Sequence, residues 1–177
     1  MMLLGPPGIS MDLTRLREDR RRNLADWFGF YNRHRDDLVR GRFIPFGDEF
    51  HYPEMMVARG DTAYAWVSRW ETDHIPFPEG TRHAFIFTNL PREESFIARI
   101  DLTNITGLRP GRYRARWFNS TLESHDPPFE LTVKPRREPA SAVEARTARE
   151  NWDFPPDDER PSLDVRRGGY LEMEWVE

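Results

Sequence analysis

A mainly β fold, an antiparallel β-sandwich preceded by a long N-terminal amphipathic helix, is predicted by three features of the 177-residue sequence. Apolar residues recur at helical spacing as far as Gly41. Beyond it they mostly alternate with polar ones, in seven or eight short runs. Those runs are separated by Gly- and Pro-rich connections, a pattern that points to an antiparallel sandwich. The expected division is a loop and helix over residues 1–41 and a sheet region over 42–177, with an irregular excursion at about 136–167.

The helix comes first. Leu24, Trp27, Phe28, Tyr31 and Leu38 recur at steps of three, four and seven, which places them along one side. Arg33, Asp36, Asp37 and Arg40 take the opposite side. Gly41 suits the left-handed residue that closes many helices. Asp12 or Thr14 is placed to accept hydrogen bonds from the first free amides, with the helix running to about Arg40. Arg20 falls within the apolar stripe, so either a break near it or a loosely packed first half is expected. Ahead of this, Gly5, Pro6, Pro7 and Gly8 make a loop, followed by a brief extended piece at Ile9 to Met11.

From Arg42 the period is two. Met55 to Arg59 and Asp61 to Trp70 flank Gly60, a natural hairpin pair. In the second arm Tyr64, Trp66, Ser68 and Trp70 share one face while Ala63, Ala65 and Val67 share the other, as in a central strand. Asp73 to Arg82 holds two prolines and a glycine and reads as a loop. His83 to Asn89, Phe96 to Leu102, Gly111 to Ser120, Phe129 to Val133 and Leu171 to Trp175 read as further strands. Arg112, Arg114 and Arg116 face away from Tyr113, Ala115 and Trp117, so that strand is solvated on one side and buried on the other. In the 136–167 excursion a short helix is expected at Ala140 to Glu150, and Trp152 and Phe154 favour a strap that docks on one edge of the sheet.

Charge and composition exclude several function classes. A net charge of -4 argues against general affinity for nucleic acid. The densest basic run, Arg20 to Arg22, adjoins Glu18 and Asp19 and reads as a solvated helix face. Charged residues make up 32%, and no apolar run approaches the roughly 20 residues of a spanning helix, so a soluble chain without a membrane partner is expected. The absence of cysteine removes disulfides, thiolate metal sites and cysteine nucleophiles. MMLLGPPG lacks the charged and apolar regions of a signal peptide, which leaves a cytoplasmic location by default; it also reads as the inside of a longer protein.

Motifs that carry chemistry are scarce. The histidines at 34, 51, 74, 83 and 125 show no metal-ligand spacing, and no cofactor is indicated. Dinucleotide, nucleotide and serine-hydrolase signatures are missing. The carboxylate pairs Asp36 with Asp37 and Glu93 with Glu94 read as solvated. Glu123 and Asp126 beside His125 read as a turn, with a carbohydrate site as the alternative. Asn104-Ile-Thr and Asn119-Ser-Thr match the N-glycosylation pattern.

The stretch from Gly8 to Phe43, with Phe30, Tyr31, His34, Arg35, Asp37, Leu38 and Gly41, resembles the end of the catalytic barrel in glycoside hydrolases of family 36 and the related α-galactosidase type. The segments AYAWVSRW, AFIFTNLP and GLRPGRYRARWFN are similar to strands of the β-sandwich that follows that barrel, so the resemblance covers nearly all of residues 9 to 133. It implies a non-catalytic terminal region whose partner is the catalytic barrel of a parent enzyme. Leu24, Trp27 and Tyr31 would form a partly exposed barrel-facing surface. The catalytic aspartates of that family, which retaining chemistry sets about 5 Å apart, belong to earlier barrel strands and correspond to nothing in this sequence. Two other readings stand beside it. One is a free-standing carbohydrate-binding module using Tyr64, Trp66 and Trp70; the other is a small enzyme with an unrecognised site.

Overall fold

In the computed structural model the described residues are 12–46, 54–67, 74–88, 105–119, 121–124, 127–133, 152–153 and 169–177. Two helical pieces, a single turn and a longer helix, open the described residues. Asp12 accepts the Thr14 amide at 2.9 Å and caps a single tight turn, Leu13–Arg15. The chain then extends at Leu16 before α1 (Glu18–Arg40) begins. The break expected near Arg20 therefore falls a turn earlier and leaves a helix of 23 residues. Glu18 and Asp19 in its first turn and Arg40 in its last complement the helix dipole. Residues 18–22 are all exposed, so the early turns contribute little to the core.

Gly41 ends the helix for a different reason from the one expected. Its φ of -68° and ψ of 160° are extended, not left-handed. A Cβ there would overlap the Asp37 carbonyl and the Val57 side chain, so glycine is required by close approach of the helix end to the sheet.

Among the described residues ten strands follow: β1 (Arg42–Phe46), β2 (Glu54–Arg59), β3 (Thr62–Val67), β4 (Ile75–Thr81), β5 (His83–Thr88), β6 (Ile105–Leu108), β7 (Gly111–Phe118), β8 (Phe129–Val133), β9 (Trp152–Asp153) and β10 (Tyr170–Trp175). Eight form one sheet in the order β1-β2-β3-β5-β10-β7-β8-β9, and β4 pairs with β6 in a second, two-stranded sheet. The β2–β3 hairpin expected around Gly60 is present: Gly60 has a φ of 60°, and Arg59 pairs with Thr62, which leaves Gly60 and Asp61 as the turn.

The antiparallel expectation is corrected at two places. β3 and β5 run parallel, and so do β4 and β6. Parallel neighbours need a crossover, and β4 lies within the one that joins β3 to β5. The segment read as a loop at Asp73 to Arg82 thus contains a strand. Its prolines, Pro76 and Pro78, are tolerated because β4 has a single hydrogen-bonded neighbour, and its register shifts between Pro76 and Thr81. The architecture is a large mixed sheet with a helix on one face and the short β4–β6 pair on the other, not two antiparallel sheets of similar size.

The two faces have different cores. Against β4–β6 the main sheet turns Ala63, Ala65, Ala84 and Ala115 among Ile86, Tyr113, Leu131, Leu171 and Met173, all essentially inaccessible. Four alanines on β3, β5 and β7 let Ile75, Phe77, Ile105 and Leu108 of the second sheet pack close. Against α1 the sheet presents aromatic rings: Tyr64, Phe85, Phe87 and Tyr170. At the far edge β9 pairs with β8 through Thr132 with Asp153 and Val133 with Trp152, which extends the sheet from within the 136–167 excursion. The strand expected at Phe96 to Leu102 and the helix at Ala140 to Glu150 lie outside the described residues.

Candidate functional site

The chemistry-bearing residues that the fold brings together lie beneath the second half of α1. Phe30, Tyr31 and Leu38 are buried there, and the burial of Phe30 and of Leu38 contributes roughly 1.5–3 kcal/mol each. Phe30 meets Phe85 and Phe87 edge-on at 5.7 and 5.6 Å. Tyr64 stacks flat on Phe85 at 4.8 Å. A helix row of Phe30, His34 and Leu38, spaced by four, thus lies over a row of aromatic rings, and His34 is the polar member of it.

His34 is held by a directed chain of hydrogen bonds. Tyr64 Oη donates to Asp37 Oδ2 at 3.1 Å, and His34 Nδ1 lies 2.9 Å from the same hydroxyl. A tyrosine hydroxyl has one proton, and here it is spent on the carboxylate. His34 must therefore donate from Nδ1, which fixes the neutral tautomer with the lone pair on Nε2. Burial lowers the His34 pKa from 6.5 to about 4, and the nearby charges of His83 and Arg33 add to the effect against the opposing pull of Glu172 and Asp37. Burial also raises the Tyr64 hydroxyl well above its ordinary value, and the Asp37 charge pushes it the same way. Neither group exchanges a proton near neutrality.

Further charged contacts frame this chain. Arg59 at the end of β2 bridges to Asp36 and lies 3.6 Å from Asp37, while Arg40 pairs with Asp36 at 3.2 Å. His83 Nε2 lies 3.0 Å from Glu172 Oε1, both half-buried on the helix-facing side of the sheet. Tyr31 Oη and Asn23 Oδ1 on the helix are buried with no hydrogen-bond partner among the described residues.

Tyr64→Phe is expected to cost about 1–2 kcal/mol, because it leaves the Asp37 carboxylate and His34 Nδ1–H without their shared partner; a urea titration at pH 7.5 measures it. The His34 shift makes a second prediction. Its folded pKa is depressed, so its contribution is fully present above pH 6.5 and is lost as pH falls toward about 4. With the interface only partly buried, the loss is on the order of 1–2 kcal/mol. Urea midpoints between pH 7.5 and pH 4.5 measure it against His34→Asn, which keeps a donor and cannot titrate; the variant's pH slope should be shallower.

The residues singled out from sequence fall in different places. Tyr64 is fully buried under α1 with its hydroxyl committed, so it offers no face to a sugar. Trp66 is half-buried and stacked on Phe87 at 5.1 Å. Trp70 lies outside the described residues, as do His51, His125 and Asp126. On the helix Leu24 and Trp27 are half-buried and Tyr31 is buried. Trp27 packs on Phe30, Phe87 and Tyr170 of its own chain, at 6.0 to 6.4 Å.

His74 pairs with Thr106 at 2.7 Å, joining β4 to β6. Asn119 Oδ1 accepts the Thr121 and Glu123 amides at 2.9 and 3.0 Å, so Asn119, Thr121 and Glu123 are joined in one local hydrogen-bonded cluster. The spacing of four that joins Phe30 and His34 to Leu38 is the signal in the sequence for their place at the interface.

Among the described residues no group of three or more His, Asp and Glu side chains is arranged to hold a metal ion. No described helix is long and apolar enough to cross a membrane. No protein family, curated protein or solved structure matches this chain.

Proposed function

We propose that this chain is a non-catalytic structural region of carbohydrate metabolism, the part of an α-galactosidase-like glycoside hydrolase that follows and supports the catalytic barrel. One observation carries the reading. Of the seven helix residues that bear the family resemblance, six join the helix to the sheet: Phe30, Tyr31 and Leu38 by burial, His34 and Asp37 through Tyr64, and Gly41 by close approach. Only Arg35 is exposed. Such residues position an element; they do not surround a substrate. The half-buried Leu24 and Trp27, next to the exposed first turns of α1, are the surface left for the barrel. The finer description of the sheets as a sandwich belongs to the same proposal.

The reading is tested by assaying the purified chain with aryl α-galactosides and by sequencing upstream of Met1. The chain alone should turn over no substrate, and an upstream reading frame should encode barrel strands bearing two aspartates. Expressed together, the joined polypeptide should hydrolyse the glycoside. Turnover by the chain alone contradicts the proposal. A carbohydrate-binding module is the second reading, favoured by the half-buried Trp66 on Phe87. Retardation in polysaccharide gels that Trp66→Ala abolishes without unfolding would select it.

A further inference from the structure

We propose that the rim of the main sheet at the end of β10 binds a phosphoryl oxyanion, as free phosphate or a phosphomonoester, through the guanidinium groups of Arg82 and Arg109. Both groups lie on one indole. The guanidinium carbon of Arg82 is 5.0 Å from the centre of the Trp175 ring and that of Arg109 is 4.7 Å from it. Stacking on a ring fixes the plane of a guanidinium and leaves its edge N–H groups directed outward, where oxygen acceptors bind.

The platform is rigid. Trp175 Nε1 donates to the Pro110 carbonyl at 3.2 Å, and its main-chain amide donates to the Arg82 carbonyl at 2.8 Å. The ring lies so close to Gly111 that a Cβ there would overlap Nε1. Both arginines are tied at the main chain. Arg82 N–H donates to Asp61 O at 2.8 Å, and Arg109 N–H donates to Thr81 O at 2.9 Å. The Tyr113 hydroxyl lies between the Thr81 carbonyl at 2.7 Å and the Arg109 carbonyl at 2.9 Å, so its one proton is shared between them. The two cations share one locality, since the charges of both act on that hydroxyl.

Compensation is incomplete. Asp61 stands 3.8 Å from Arg82 Nε, beyond hydrogen-bond reach, and Arg109 has no ion pair among the described residues. Arg112 nearby is engaged with the Glu177 carbonyl at 3.3 Å. Two separate planar forks match a tetrahedral dianion with three acceptor oxygens, whereas a carboxylate satisfies one fork. The inference is independent of the glycosidase reading.

The test is a titration of the full chain with inorganic phosphate at low ionic strength, following the Nε–H signals of arginine and tryptophan by NMR. Saturable shifts are expected at Arg82, Arg109 and Trp175. Arg82→Ala and Arg109→Ala should each weaken binding at least about tenfold, and Arg109→Lys, which keeps charge and stem without the fork, by less. Arg114→Ala, on the opposite face, should stay within about twofold. Parallel titrations with a hexose phosphate and acetate complete it. Tighter binding of either phosphate source names the source and upholds the proposal; acetate binding as well as phosphate overturns it. So does the absence of saturable shifts, or shifts that persist when both arginines are replaced in a variant with unchanged far-ultraviolet circular dichroism.

Discussion

Phe30→Ala is expected to lower the unfolding free energy by about 3–5 kcal/mol, the range for removing a fully buried ring. Phe30 is 1% exposed and touches Phe85, Phe87 and Tyr170 on β5 and β10, which are adjacent in the main sheet. The ring spans the interface at its centre. The residues around it cannot collapse into the space, because Tyr64 is stacked on Phe85 and held by Asp37, and Tyr170 is stacked on Phe118 at 4.6 Å. Chemical denaturation should show a lower midpoint with an unchanged slope if the helix and sheet unfold together. A loss below about 1 kcal/mol would mean that the helix does not depend on this contact.

Gly107→Ala is expected to cost about 3 kcal/mol or more, from two sources acting on one residue. Gly107 has a φ of 80°, a region that costs an L-residue about 1–2 kcal/mol. A Cβ there would also overlap the Phe77 carbonyl group across the β4–β6 pair. That obstacle is main chain and cannot rotate away. The pair must separate, and Ile75, Phe77, Ile105 and Leu108 would lose their packing on the main sheet. Thermal unfolding of the variant measures the loss. An undisturbed melting temperature would contradict the close parallel pairing of β4 with β6.

What the sequence makes legible follows from what alternation can encode. It states which residues share a face, so Ala63, Ala65 and Val67 were separable from Tyr64 and Trp66, and Tyr113 and Ala115 from the arginines between them. It does not state which strand lies beside which, or in what direction. The β2–β3 hairpin was readable because Gly60 fixes a local turn. The parallel β3–β5 pair was not, because nothing local distinguishes a crossover from a loop. β4 was hidden by Pro76 and Pro78, which read as breakers and are harmless in a strand with one paired edge.

The interface beneath α1 was half legible for a similar reason. The helix stripe announces that a partner surface exists, but not that Tyr31 meets this chain's own sheet while Leu24 and Trp27 stay half-buried. His34 and Tyr64 are 30 residues apart in sequence, and only the fold joins them. Gly41 was placed correctly as the helix end with the wrong physical cause, since closeness of Val57 is a tertiary fact.

Hydrogen exchange on the full chain at neutral pH tests most directly whether α1 belongs to this chain's own fold. The amides of residues 27–40 should exchange with the same protection as those of β3, β5 and β10, and all should lose it together on adding denaturant. Helix amides that exchange orders of magnitude faster than the sheet would contradict the account and show the helix to be undocked.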